Sequence, residues 1–166
     1  MIPEIKKILY ATDLSENARH ALGYAASLAN RYGAGITFLH VLEDTSAFRD
    51  SLMINVLGED KWKKLLKDNQ HKVLDMAKER VKSFCDEVSS EMPACPFITD
   101  EIAVRIGHPS EEIMKQVKAS ECDLVVMGAR GLGVLADKLI GSTSKRVLRR
   151  CEKPVLIIRL PKDEKD

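Results

Sequence analysis

The chain has 166 residues, 26 basic against 25 acidic side chains, a formal charge of +1 and an apolar share of 45%. One domain over residues 1–166 accommodates that length and buries roughly 68–70% of its unfolded surface. The near cancellation of charge argues against a dedicated nucleic-acid binder, and no run approaches the roughly 18 apolar residues of a membrane span.

The opening stretch MIPEIKKILYATD lacks the blocks of a signal peptide, which predicts a cytoplasmic protein. KKILYATD is a short apolar run ending in polar residues, as in a buried parallel strand. From Ser15 to Tyr32, Ala18, Leu22, Ala25, Ala26 and Ala29 recur at helical spacing, and Gly33 and Gly35 supply the stop. GITFLHVLED is the second strand. Residues 44–58 show no clear period and read as a mobile insertion, either a cover for a ligand or part of a dimer contact. Lys61 to Val88 is a charged helix with Trp62, Leu65, Leu66, Val73, Met76, Ala77, Val81 and Phe84 as its apolar face.

MPACPF breaks that helix, and ITDEIAVRIG is a third strand with inside–outside alternation. HPSEEIMKQVKAS has Pro109 at its start and Glu111 and Glu112 in its first turn, the grammar of a helix N-terminus. DLVVMG is strand four, Ser142 to Arg150 a helix, PVLIIRL strand five, and residues 161–166 a solvated tail. Cys85, Cys95, Cys122 and Cys151 form no C-x-x-C pair, so free thiols are expected. The alternation of strand and helix predicts an α/β fold. The expected architecture is a three-layer open sheet of five parallel strands with helices on both faces, Rossmann-like, with strand order 3-2-1-4-5.

In such a sheet the ligand crevice lies beyond the carboxyl ends of strands one and four, where connections diverge to opposite faces. Its walls are Ala11, Thr12 and Asp13 on one side and the segment after Met127 on the other. Gly128 and Gly131 admit close backbone approach or positive φ. Gly141 precedes a helix whose first amides, at Ser142, Thr143 and Ser144, suit a phosphate. Arg130 or Lys138 offers countercharge. The P-loop pattern is absent. GLGVLA matches a dinucleotide fingerprint at Gly131, Gly133 and Ala136, but that reading would put Gly141 inside a helix, and it is set aside.

Gly128-x2-Gly131-x9-Gly141-Ser142 fits the nucleotide signature G-2x-G-9x-G-[ST] at every spacing. With KILYATDLSENARHALGYAASLA, GHPSEEIMKQVKASECDLVVMG and GSTSKRVLRRCEKPVLIIR in register, the chain resembles the universal stress protein family everywhere except about residues 44–95. The resemblance implies an adenine-nucleotide-binding domain of the adenine nucleotide alpha hydrolase-like type, forming homodimers through strand 154–160. It places Asp13 at the ribose and the Val41 backbone at the adenine edge. Gly128, Arg130 and Gly131 then follow the ribose–phosphate path, with Gly141, Ser142 and Thr143 at phosphate. Ala11 stands where some relatives have proline. The implied cofactor is ATP, with AMP or ADP as alternatives and magnesium or manganese riding on the phosphates. The implied role is a stress-response switch read by an unidentified protein partner, without nucleic acid or membrane.

Plainer readings accompany these. Asp13 with Glu16 forms a capping box, and Ser142 is a competent N-cap. His40 is a structural strand-end histidine, and Met127 is core or a pocket wall. No catalytic residue is assigned, because Asp13 lacks the second carboxylate that phosphoryl chemistry asks for. A slow ATP hydrolase and a nucleotide-indifferent dimer module are the competing functions.

Overall fold

The structure, a computed structural model, describes residues 2–44, 47–130 and 140–161, the side chains of 47–49 excepted. Its elements run β1 (Lys7–Thr12), α1 (Glu16–Tyr32), β2 (Gly35–Glu43), α2 (Ala47–Leu57), α3 (Glu59–Glu91), β3 (Ile98–Gly107), α4 (Pro109–Ser120), β4 (Leu124–Gly128), α5 (Ser142–Arg150) and β5 (Val155–Ile158). The five strands are parallel, as the strand–helix alternation predicts, and run in the expected order β3-β2-β1-β4-β5. No described helix is long and apolar enough to cross a membrane.

Period-two geometry sends successive strand residues to opposite faces, and both faces are covered. Ile8, Tyr10, Ile36, Phe38 and Val126 pack under α1 and α3, with Ala21, Leu22, Ala25, Val81 and Phe84 opposite. Leu9, Leu39, Val125 and Met127 pack under α4 and α5, against Ile113, Val117 and Val147. The alanines of α1 bring it close to the sheet. There the buried phenol of Tyr10 donates to the Ala18 carbonyl at 2.6 Å, and burial pushes its ionisation upward. Gly33 ends α1 in the left-handed conformation, at φ 65.

Three expectations need correction. The stretch read as an aperiodic insertion holds a helix, α2, packed against α3. On α3 the buried face is Ala77, Val81, Phe84, Cys85 and Val88 with Trp62, whereas Leu65, Val73 and Met76 are exposed. The helix outruns the sheet, so its first half has little to pack on. Strand β3 does not alternate: residues 98–101 are all exposed, because β3 is an edge strand. A register shift there leaves Asp100 with its carboxylate lying over Gly35.

Candidate functional site

Beyond the carboxyl ends of β1 and β4 the chain leaves toward opposite faces, α1 on one side and α5 on the other. A cavity of about 460 Å³ opens at that divergence. Ala11, Thr12 and Asp13 line it from β1, and Val41 from β2. Met127, Gly128 and Arg130 line it from β4, and Gly141, Ser142, Thr143 and Ser144 from α5. Every described residue of the expected nucleotide site therefore lines one space. Gly131 and Lys138, like Gly133 and Ala136, lie outside the described residues.

The start of α5 leaves amides without helical partners at the cavity. Gly141 is the N-cap (φ −61, ψ 158) and has no side chain to offer the amides that follow. Ser142, expected to cap, is instead the first helical residue and is exposed. The intrahelical ladder begins with the Lys145 amide on the Gly141 carbonyl, which leaves three preceding amides at the cavity end. The Gly141 amide donates to the Ala129 carbonyl at 2.7 Å, and the Ala129 amide to the Ile158 carbonyl at 2.6 Å. The buried Ser144 hydroxyl donates to the Gly128 carbonyl at 3.0 Å, so the protein itself uses that hydroxyl.

Gly128 lines the cavity and also has a packing reason to be small. It has no positive φ, and a Cβ there would stand 3.2 Å from the backbone of Asn17 in α1. Packing of α1 against β4 demands this glycine.

In the middle of the cavity, Asp13 Oδ1 accepts from the Ser15 amide at 3.0 Å and the Ser15 hydroxyl at 2.5 Å. Ser15 is the N-cap of α1, accepting from the Ala18 amide at 3.2 Å. The expected capping box of Asp13 and Glu16 is therefore replaced by a turn in which Asp13 holds the cap. Between them Leu14 takes φ 63, a left-handed conformation uncommon for a leucine, with its amide on Thr12 Oγ1 at 3.0 Å.

The β2 end adds Leu39, Leu42 and Glu43, which the sequence did not single out, and His40, expected there only as a structural strand-end histidine, with Ile113 of α4 opposite. A histidine inside the apolar run FLHVL was the available signal. His40 is buried, with Nδ1 2.8 Å from the Thr12 carbonyl. Nearby, His108 caps the α4 end without a side-chain bond to that helix's amides. Its Nε2 lies 2.8 Å from Arg146 Nη1 and its Nδ1 3.0 Å from Ser110 Oγ. Arginine can only donate, so Nε2 accepts and the ring ties α4 to α5.

Among the described residues no three His, Cys, Asp or Glu side chains are grouped to hold a metal ion. All four cysteines are free; burial pushes the Cys85 thiol up to about 12 and also raises Cys122.

The chain matches the model of the Universal stress protein family over residues 4–159. A universal stress protein of Methanocaldococcus jannaschii is 28% identical over 154 residues, covering 93% of this chain and 94% of the relative. The solved structure of that M. jannaschii protein superposes with a TM-score of 0.70 at 24% identity, over 96% of this chain and 99% of that one. An Arabidopsis thaliana family protein with AMP bound superposes at 0.55 and 22% identity, over 97% and 95% of the two chains. A universal stress protein in complex with cAMP does so at 0.63 and 19%, over 94% and 98%.

Proposed function

This chain belongs to the universal stress protein family, and we propose that it binds an adenine nucleotide, ATP in the first place, in the cavity between β1 and β4. The observation that carries the reading is the gathering of Asp13, the β2 end and the side-chain-free start of α5 around one space of about 460 Å³. That volume lies in the range of small-molecule sites. Family proteins of this fold with AMP and with cAMP bound lend support.

In the proposed pose the phosphates meet the amides of Ser142, Thr143 and Ser144, where the helix dipole favours negative charge. Gly128 and Arg130 border the path from sugar to phosphate. Asp13 accepts from the ribose hydroxyls, Ala11 and Thr12 form the floor beneath the sugar, and the Val41 backbone and Met127 flank the base. A divalent ion, magnesium or manganese, would ride on the phosphates and supply charge neutralisation there. AMP or ADP would occupy the same seat with fewer phosphate contacts.

The proposed role is regulatory, in the stress response. Nucleotide bridges β2, β1 and α5, so occupancy couples those elements and sets the affinity for a protein partner. The domain spans residues 1–166 and pairs with a second copy along β5, in the cytoplasm. Isothermal titration of nucleotide-stripped protein with ATP tests the binding, and chromatography of the products tests for slow hydrolysis. No heat and no thermal shift at millimolar ATP would end the reading. Light scattering with and without ATP separates a nucleotide-coupled dimer from an indifferent one.

A further inference from the structure

We propose that the groove between α4 and the turn from α5 into β5 docks an acidic peptide segment of a protein partner, with one aliphatic side chain seated in it. Glu111, Met114, Lys115 and Lys118 recur every three or four residues and so share one side of α4. Across from them α5 ends at Arg150, and the chain passes through Glu152 and Lys153 into β5. Between the two lies a cavity of about 590 Å³, which shares no lining residue with the one at the ends of β1 and β4. This surface stands apart from the nucleotide reading above.

Its apolar lining is Val117, which is buried, and Met114, a flexible side chain that adapts to what it meets. Cations surround these two. Lys115 is held by Glu112 at 2.6 Å, whereas Lys118, Arg150 and Lys153 have no carboxylate within ion-pair distance among the described residues. Outward from the groove α5 adds the exposed Lys145, Arg146 and Arg149 and holds no acidic residue, in a chain of net charge +1. Such a face attracts carboxylates, and arginine can grip them through two parallel bonds. Three carboxylates, Glu111, Glu121 and Glu152, stand among the cations, so a uniformly anionic polymer or lipid surface meets repulsion there. A nucleic acid also finds no aromatic side chain in the groove to stack on, and a flat bilayer surface does not reach Val117. A peptide varies its charge residue by residue and inserts a single side chain, which suits both features. The same helix lines both cavities, at its first turn and at Arg150.

The test pans a phage library of short random peptides on nucleotide-free protein, then measures the enriched peptides by fluorescence anisotropy. Wild type is compared with Lys118→Glu and Arg150→Glu, and with Lys64→Glu on the exposed side of α3 as the control. All three positions are exposed, so the variants keep the fold, which thermal melting verifies. Vesicles of phosphatidylserine with phosphatidylcholine and a single-stranded RNA oligonucleotide are titrated in parallel. The expected result is enrichment of acidic peptides bearing an aliphatic residue, with affinity about tenfold weaker at each groove variant and unchanged at Lys64→Glu. Enrichment without acidic residues, equal affinity across the four proteins, or groove-dependent binding of the vesicles or the RNA in place of peptide overturns the proposal. None of these outcomes bears on the ATP titration, so the two readings fail separately.

Discussion

The Ser144 hydroxyl donates to the Gly128 carbonyl at 3.0 Å, joining the first turn of α5 to the last residue of β4 across sixteen positions of chain. Both groups are buried. Ser144→Ala strands the carbonyl without its donor, and we expect a loss of about 1–2 kcal/mol in stability. The same turn presents the amides of the proposed phosphate seat, so ATP affinity should fall with it. Urea unfolding and titration of this one variant check both effects; an unchanged midpoint would mean that the bond contributes nothing.

The two glycines flanking the connection between β4 and α5 should respond differently to a methyl group. At Gly128 the new Cβ meets the Asn17 carbonyl carbon and oxygen at 3.2 Å, atoms of a helix backbone that cannot rotate aside. Gly128→Ala therefore shifts α1 or strains β4, at about 1–3 kcal/mol. At Gly141 the nearest atoms are the Ala129 oxygen at 3.4 Å and Arg130 Cα at 3.6 Å, and φ is −61. Gly141→Ala costs only a weaker cap, about 1 kcal/mol or less. Thermal unfolding of the pair should place Gly128→Ala lower, and the reverse order would refute the packing argument.

Much of this arrangement is legible in the sequence because buried parallel strands announce themselves as apolar runs ending in polar turns. The turns after Thr12 and Met127 are small and polar, and the spacing from Gly128 to Gly141 marks a crossover ending at a helix. What escaped needs tertiary distance. Leu52, Met53, Ile54, Val56 and Leu57 are apolar nearly all round α2, so no single stripe signals a helix. Val73 and Met76 keep helical spacing with the buried residues of α3, yet that helix of 33 residues is about 50 Å long and extends past the sheet. The partnership of His40 with the Thr12 carbonyl depends on strand register, and the Gly128 requirement on where α1 lies. Neither is written in local pattern.

At the other end of these strands, Asp123 Oδ2 accepts from the amides of Lys6 and Lys7 at 2.8 and 3.0 Å, tying the start of β4 to the start of β1. The Lys6 amide above all holds this carboxyl below its usual value; burial, next in size, opposes it, and the Lys7 amide and the charges of Lys153 and Lys7 add to the lowering. A depressed folded-state value means that the stabilisation is fully present above the ordinary carboxylate range, about 4. As pH falls the unfolded chain takes the proton first, and the advantage vanishes once the folded group is protonated too. Asp123→Asn should thus be less stable than wild type at pH 7, with the gap closing below about pH 4. Urea unfolding at pH 7, 5 and 3 checks it; a gap that does not shrink with acid would detach the effect from this carboxylate.

The last prediction concerns the free edge at β5. The Pro154 carbonyl accepts from the Val125 amide and the Ile158 carbonyl from the Ala129 amide, so even-numbered residues here face β4. Alternation turns the backbone of Ile157 outward, away from β4. Val155, Leu156 and Ile157 are only half-buried, on a strand bonded to one neighbour. An apolar edge of that kind invites pairing with a second copy. Ile157→Pro removes an outward N–H without breaking a bond to β4, which is the position where a sheet tolerates proline. If the dimer forms along this edge, light scattering should report a monomer for the variant and twice that mass for wild type. The variant should still titrate with ATP, because the cavity lies at the carboxyl ends of β1 and β4 and Ile157 does not line it. A variant that stays dimeric with its secondary structure intact would place the self-association surface elsewhere, with the exposed Leu52, Val56, Val73 and Met76 of α2 and α3 the next surface to mutate.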